Sequence, residues 1–260
     1  MSDEMKRCPF CDEEIRFKAM ICKHCQQWMP GYSYQGAIRD LVIDKQETRL
    51  VEIDLEMSRR SRDEQYQLAL NWATSENKIR LKGIDLAARN LAGVDLSGAD
   101  LSGADFSKAD LSGANLSQAN LSQVNFFEAN LRGANLFKAK LSESYLREAN
   151  LAQADLSGAV LMRADLRNAI LSQAKLYRVD LDQAKLKGAI LQNADLTESY
   201  LKDTDLSAAD LAGARLKGAM LIRTNLSNAT ITSLQWQTAG SLENTVMPDG
   251  RVHMAGPSAN

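Results

Sequence analysis

The chain has 260 residues, of which 45% are hydrophobic and 25% charged, ordinary values for a globular protein. Its 31 basic and 33 acidic side chains leave a net charge of -2, so nothing pulls it generally toward nucleic acid or an anionic membrane. Apolar runs are only a few residues long, and the opening stretch MSDEMKRCPFCDEE has no apolar core. Neither a membrane span nor a secretory leader is expected, and the cytoplasm is the expected compartment.

Four cysteines, Cys8, Cys11, Cys22 and Cys25, fall in one short window, and the rest of the chain has none. Their spacing is C-x2-C-x10-C-x2-C. Each CxxC puts two thiolates on one tight turn, and two facing turns make a tetrahedron suited to Zn²⁺. The alternative, a redox dithiol, calls for one pair at a strand-to-helix turn rather than two matched pairs. Four thiolates fill the shell, so His24 inside CKHC reads as a solvent-facing loop residue. The zinc is expected to be a single closed, structural ion. So short a segment needs the metal to hold its fold. The stretch CPFCDEEIRFKAMICKHC resembles the small four-cysteine zinc-ribbon of many prokaryotic proteins, a resemblance that implies zinc binding and little more.

Residues 36–80 contain no Pro and, after Gly36, no Gly. Ser61-Arg62-Asp63-Glu64 reads as a capping box that opens a helix. Tyr66, Ala69, Leu70 and Ala73 would form its apolar stripe. Upstream, Ile38, Leu41 and Val42 also suggest helix. Val51 to Met57 alternates as a strand would, but no turn signal bounds it, so helix is favoured there. The segment is expected to cap the repeats that begin at Leu81. Pairing with a second copy as a coiled coil, giving a homodimer, is the alternative, and Lys45 and Arg62 break its candidate seams.

From Leu81 to Ile231 a five-residue unit runs without insertion or deletion, giving 31 centres, 28 of them Leu, with Phe106, Phe126 and Ile231 as the exceptions. Two residues before the centre stands Ala in 21 of the 31 units. Asp or Asn usually precedes the centre, Ser follows it, and Gly recurs two after. Five residues turn about 500° on a helix, which scatters the Leu around every face. On a simple strand five is odd, so the Leu would alternate sides. A short extended stretch does put a centre and the Ala two before it on one side, leaving Gly, Ser, Asn and Asp to turn a corner. The path is therefore a solenoid with one short side per pentapeptide.

The departures from Ala past the first coil indicate how many sides it has. Val124 pairs with Ser144, Val179 with Ser199, and Thr204 with Thr224, each four units apart, as are Phe106 and Phe126. A larger side chain is best accommodated by its neighbours directly above and below, so four pentapeptides make one coil of four sides. These features resemble the pentapeptide-repeat family, over more than half of the chain. The resemblance implies a mainly β fold, a right-handed four-sided β-helix. The 31 units would make a rod on the order of 37 Å long. The expected organisation is a zinc-ribbon over 1–30, a helical connector and cap over 31–78, the β-helix over 79–236, and a C-terminal cap and tail over 237–260. Trp236, five residues past the last centre, is expected to seal the final coil. Pro248-Asp249-Gly250 reads as a turn and 254–260 as frayed. Arg89 occupies an inward small position of the first coil and is expected to escape toward the cap, because an unpaired buried charge is expensive.

Catalysis is not expected. The only two His, His24 and His253, lie outside the repeats, so the many Ser after the centres have no base beside them. The Asp and Asn columns, such as Asp95, Asn115, Asn135 and Asp155, read as turn residues. Some pentapeptide-repeat proteins mimic duplex DNA and inhibit type II topoisomerases such as gyrase, which calls for an acidic rod. Here residues 81–235 carry 17 basic and 17 acidic side chains, with a net of -3 over 81–130, +4 over 131–190 and -1 over 191–235. That alternation argues against phosphate mimicry and shows no sustained basic stripe for nucleic acid. Where Asp or Asn is usual, the chain instead has Val160, Ile170, Ile190, Tyr200 and Met220, with Ile222 beside Met220. Exposed apolar groups of this kind mark contact surfaces. The reading is a cytoplasmic, non-enzymatic scaffold that binds an unidentified protein partner. Topoisomerase modulation by partial DNA mimicry and nucleic-acid binding through the zinc-ribbon are the alternatives.

Overall fold

The computed structural model describes residues 5–7, 14–16, 60–75 and 81–254. The chain forms two compact units, Met1–Leu55 and Glu56–Asn260. In the first, β1 (Met5–Arg7) pairs antiparallel with β2 (Glu14–Arg16), and Arg7 stands opposite Glu14. Cys8 and Cys11 belong to the connection between these strands. All four cysteines, His24, the alternating run Val51 to Met57 and the upstream part of the connector lie outside the described residues.

The second unit contains the solenoid. Its parallel bridges join residues four pentapeptides apart, from Asp85↔Asp105 to Asp210↔Thr230, and four units therefore make one coil. The unit centred on Leu116 shows how the backbone is satisfied. The Leu116 N–H donates to Asn135 O at 2.7 Å and the Gln118 N–H to Phe137 O at 2.9 Å, both in the next coil. The Asn120 N–H donates back to Ala99 O at 2.9 Å, and the Ala119 N–H closes the corner onto Leu116 O at 3.1 Å. The fifth donor, the Ser117 N–H, bonds the Asn115 side-chain oxygen at 3.2 Å. No amide of the unit is left over.

That fifth bond explains the Asp/Asn preference. Every one of the 19 Asp or Asn residues before a centre, from Asp85 to Asn225, accepts the N–H two residues on. The second residue after the centre is left-handed in all 30 units from Gly83 to Asn228, with φ between 53° and 71°. Ten of these are Gly, whose missing Cβ makes the conformation free of strain, and twenty are not.

Each centre from Leu81 to Leu226 is at most 1% exposed, and Ala fills beside it. Phe106 and Phe126 stack with ring centroids 5.3 Å apart, one coil above the other. The inward hydroxyls are buried but bonded: Ser144 and Ser199 donate to Leu141 O and Leu196 O, each at 2.7 Å, while Thr204 and Thr224 reach Leu181 O and Leu201 O in the previous coil. The paired departures seen in the sequence therefore stack as a four-sided coil requires.

Helix α1 (Arg62–Leu70) opens with the expected capping box, formed in both directions between Ser61 and Glu64. It lies on the first coil and supplies side chains where the ladder has no further coil. The Asp85 N–H bonds Gln65 Oε1 at 2.7 Å, Tyr66 Oη donates to Asn90 O at 2.6 Å and Arg62 to Ala87 O at 2.5 Å. The apolar stripe differs from the one expected. Gln65, Ala69 and Trp72 are the buried residues, Tyr66 and Leu68 pack against the core in part, and Leu70 and Ala73 face solvent. The physical reason is the sheet edge, whose unpaired groups need polar partners and so draw the Gln65 side of the helix inward. Arg89 does escape to this cap, pairing with Asp63 at 2.5 Å and lying 5.2 Å from the Tyr66 ring.

At the other end coiling continues beyond Trp236. The short helix α2 (Ser233–Trp236) inserts one residue, and the bridges slip by that one residue, to Met220↔Ser241 and Asn225↔Val246. Gly240 and Thr245 stand two residues before Leu242 and Met247; Thr245 and Met247 are buried, Leu242 packs partly against the core and Gly240 is exposed. A Cβ on Gly240 would meet Gly218 O at 2.9 Å, so no side chain fits there. Trp236 is half-buried and borders a groove with Ile231, Met247 and Pro248 rather than ending the coil. Pro248-Asp249-Gly250 is the expected turn, joining β3 (Thr245–Val246) to β4 (Val252–His253). Residues 255–260, most of the expected tail, lie outside the described residues.

Gly98 has φ 67° and open space where a Cβ would be, so it isolates backbone strain from crowding. Gly98→Val is expected to lower unfolding stability by about 1–2 kcal/mol, whereas Gln118→Gly at φ 58° raises it by roughly 0.5 kcal/mol, as measured by denaturant unfolding.

Candidate protein-contact surfaces

Because a coil is four pentapeptides, each outward position stacks into a column along the rod, and positions two units apart lie half a coil apart, on opposite sides. The six candidate contact residues therefore divide. Val160, Asp180, Tyr200 and Met220 form one column, bridged pair by pair, and Ile222 lies two residues from Met220. Ile170 and Ile190 bridge directly on the opposite side. Tyr200 is 49% exposed, Met220 37% and Ile190 36%, while Val160, Ile170 and Ile222 are half-buried. The two sets cannot form one face.

These apolar residues occupy positions where 19 others provide the turn bond. Only one of the five turns recovers it, where the Lys202 N–H bonds Asp182 Oδ1 at 2.9 Å, one coil away. Burial holds the Asp182 carboxyl above the usual range, partly offset by that N–H, with Asp180 adding to the rise. Asp180 and Asp182 thus put an acidic rung between Val160 and Tyr200.

The charged columns behave differently. Lys108–Glu128, Arg163–Glu143, Lys175–Asp155, Arg178–Glu198, Arg215–Asp195 and Arg223–Asp203 are all ion pairs between residues one coil apart. They lie along the rod and cancel locally. Asn side chains extend the polar columns, as in Asn115 to Asp95 and Asn130 to Asp110. Ser102 and Ser122 donate their hydroxyls to Asp100 and Asn120 of their own turns, so they act as turn residues. Among the described residues no group of His, Cys, Asp and Glu is arranged to hold a metal, and no helix is long and apolar enough to cross a membrane.

One feature carries no signal in the repeat pattern. Helix α2 stands beside the last coils and leaves an open groove of about 620 Å³ lined by Tyr177, Arg215, Lys217 and Leu234, the last 77% exposed. The one-residue insertion that creates it becomes legible only in the small-x-apolar triplets Gly240-Ser241-Leu242 and Thr245-Val246-Met247.

A four-sided solenoid of pentapeptides with turn-bonded Asp and Asn defines a class of repeat protein. A family model described as pentapeptide repeats (8 copies) matches residues 79–118, 104–142, 144–183, 174–211 and 199–233, and the chain belongs to this family. No curated protein matches it. Among solved structures, QnrB1, a plasmid-mediated fluoroquinolone resistance protein, is 21% identical with a TM-score of 0.51, over 57% of this chain and 83% of that one. HetL, a pentapeptide repeat protein involved in heterocyst differentiation regulation in the cyanobacterium Nostoc, is 32% identical with a TM-score of 0.27, over 70% of this chain and 96% of its own. A pentapeptide repeat protein from the thylakoid lumen of Arabidopsis thaliana is 29% identical with a TM-score of 0.19, over 46% and 69%.

Several carboxylates titrate below their usual range. The Ser112 N–H holds Asp110 down, Arg178 lowers Glu198 and Arg223 lowers Asp203. A folded pKa below the unfolded one contributes stability above the unfolded value and loses it as pH falls through the folded value. Thermal stability is expected to stay level from pH 7 to about pH 5 and to fall below about pH 4. Asp203→Asn with Glu198→Gln should flatten that acid loss in a melting series.

Proposed function

We propose that the protein is a non-enzymatic scaffold: a zinc-ribbon head carried by a pentapeptide-repeat rod that holds another protein on its C-terminal half. The observation that carries this reading is the exposed Tyr200–Met220 column with Ile222 beside it. At Met220 an aspartate or asparagine would add a turn hydrogen bond worth about 0.5–1.5 kcal/mol, whereas at Tyr200 the Lys202 N–H already bonds Asp182 Oδ1. Met220 forgoes that bond, and Tyr200 and Met220 both expose apolar surface, which suits contact with a partner. Ile170 and Ile190, on the opposite side, form a second and smaller patch.

For the head, the four thiols Cys8, Cys11, Cys22 and Cys25 would hold one structural Zn²⁺. Pairing of Arg7 with Glu14 brings together the two ends of the segment that contains the first CxxC, which supports a knuckle there. Bound zinc supplies folding energy to the ribbon and no catalysis. Modulation of a type II topoisomerase by partial DNA mimicry is the second reading. The solenoid shared with a fluoroquinolone resistance protein favours it only at the level of fold. Charge cancellation within the columns weighs against it, because a phosphate mimic needs uncompensated carboxylates.

Affinity co-purification from native extract with the full chain tests the scaffold. A partner should be retained by Ile170→Asp/Ile190→Asp and weakened at least tenfold by Tyr200→Asp/Met220→Asp. Equal capture by both variants would sink the column as the contact. Elemental analysis of the purified chain should find one zinc per chain, lost in Cys22→Ser/Cys25→Ser. A supercoiling assay with purified gyrase should show no inhibition; inhibition would promote the second reading.

A further inference from the structure

The overall charge balance conceals one side of the rod. Bridges Tyr145↔Asp165 and Asp165↔Lys185 fix the register there, and the Glu148 N–H to Arg167 O and Asn168 N–H to Lys187 O bonds set the neighbouring column. That column reads Arg147, Arg167, Lys187. Coil spacing is about 4.8 Å, so three cations follow each other at that interval. Nowhere else in the described repeats do three charges of one sign stack in succession. The other charged columns are dominated by opposite-sign neighbours, including the six ion pairs above. Like charges facing each other on adjacent strands are destabilising unless something neutralises them.

Internal neutralisation is incomplete. Asp165 takes both Arg167 nitrogens, at 2.8 and 2.5 Å. Among the described residues, Arg147, Lys187 and the adjacent Lys185 form no ion pair with a carboxylate. Glu148 and Asp205, on the same side, pair with none of them. Arg147, Lys185 and Lys187 are exposed, and Tyr145, two residues before Arg147, is 55% exposed. One coil below Arg147, Phe127 continues the column and is half-buried.

We propose that this side of the rod binds a single strand of nucleic acid, whose phosphates run along Arg147, Lys185 and Lys187 while one base stacks on Tyr145. The charge runs along the rod, with Arg147 and Lys187 two coils apart in one column and Lys185 beside Lys187 in the next. Tyr145 supplies the sequence-tolerant stacking platform that such sites combine with a basic track. About three phosphate contacts predict that affinity falls with salt at a log–log slope near -2 for single strands.

The test is fluorescence anisotropy of the full-length protein with a labelled 20-nucleotide oligo-dT, between 50 and 200 mM NaCl, on the order of the range over which such slopes are read. Arg147→Glu/Lys187→Glu should weaken binding at least tenfold and cut the slope by roughly 1.4. Tyr145→Ala should weaken oligo-dT binding severalfold but leave competition by inorganic polyphosphate unchanged. Lys175→Glu/Lys217→Glu, on another side, should bind as the natural chain does. Melting curves verify that each variant is folded, and the Lys175/Lys217 variant controls for unspecific charge. No binding by the natural chain, or equal binding by the Arg147/Lys187 variant, would overturn the proposal; the latter would move binding elsewhere, the head included. Equal loss of polyphosphate and oligo-dT on Tyr145→Ala would overturn the stacking role.

Discussion

The structure depends on one constraint: the backbone amides of the pentapeptide must find partners within their own coil or the coils on either side, as all five do in the unit centred on Leu116. Three of the five donors go to adjacent coils, one closes the corner and one is taken by an Asp or Asn side chain. Leu at the centre and Ala beside it are what remains compatible with this path, since only two residues per unit point inward. The ladder thereby specifies the core, rather than the core specifying the ladder. Burying each Leu contributes roughly 1.5–3 kcal/mol gross, and the identical spacing repeats that gain along the rod.

Outward side chains other than the turn-bonding Asp and Asn are then almost free of structural duty, which is why the surface can carry chemistry in columns. Any residue before a centre faces its counterpart one coil away. Ion pairs, Asn ladders, the Tyr200–Met220 column and the Arg147–Lys187 column are four uses of the same geometry. A rod of this kind offers long, patterned sides with open grooves, as beside α2 and along Arg132, Gln153 and Gln173. That favours recognition of partners over the enclosure of a substrate.

Much of this was legible in the sequence. The spacing of Val124 with Ser144 and of Thr204 with Thr224 pointed to the four-sided coil, and Ser61 with Glu64 marked the start of α1. The escape of Arg89 followed from the cost of burying its charge. What periodicity could not reveal was how the ends are finished. Gln65 acts through a polar side chain that replaces a missing strand, so it stood out by neither hydrophobicity nor period. The buried side of α1 was misplaced for that reason. The continuation past Trp236 was hidden by a single inserted residue, which puts Leu242 and Met247 out of phase. The Arg147 column was hidden too, because net charge summed along the chain ignores which residues stack.

Amide hydrogen exchange resolved by residue tests the five-residue bonding pattern most directly. Amides of Leu116, Gln118, Ala119 and Asn120 are predicted to be strongly protected. Ser117, bonded only to a side chain, should exchange faster, and Arg147, whose turn has Tyr145 in place of the Asx acceptor, faster still. This order should recur every five residues across the middle coils. Protection with a helical period, or uniform protection that ignores the position in the pentapeptide, would contradict the bonding pattern.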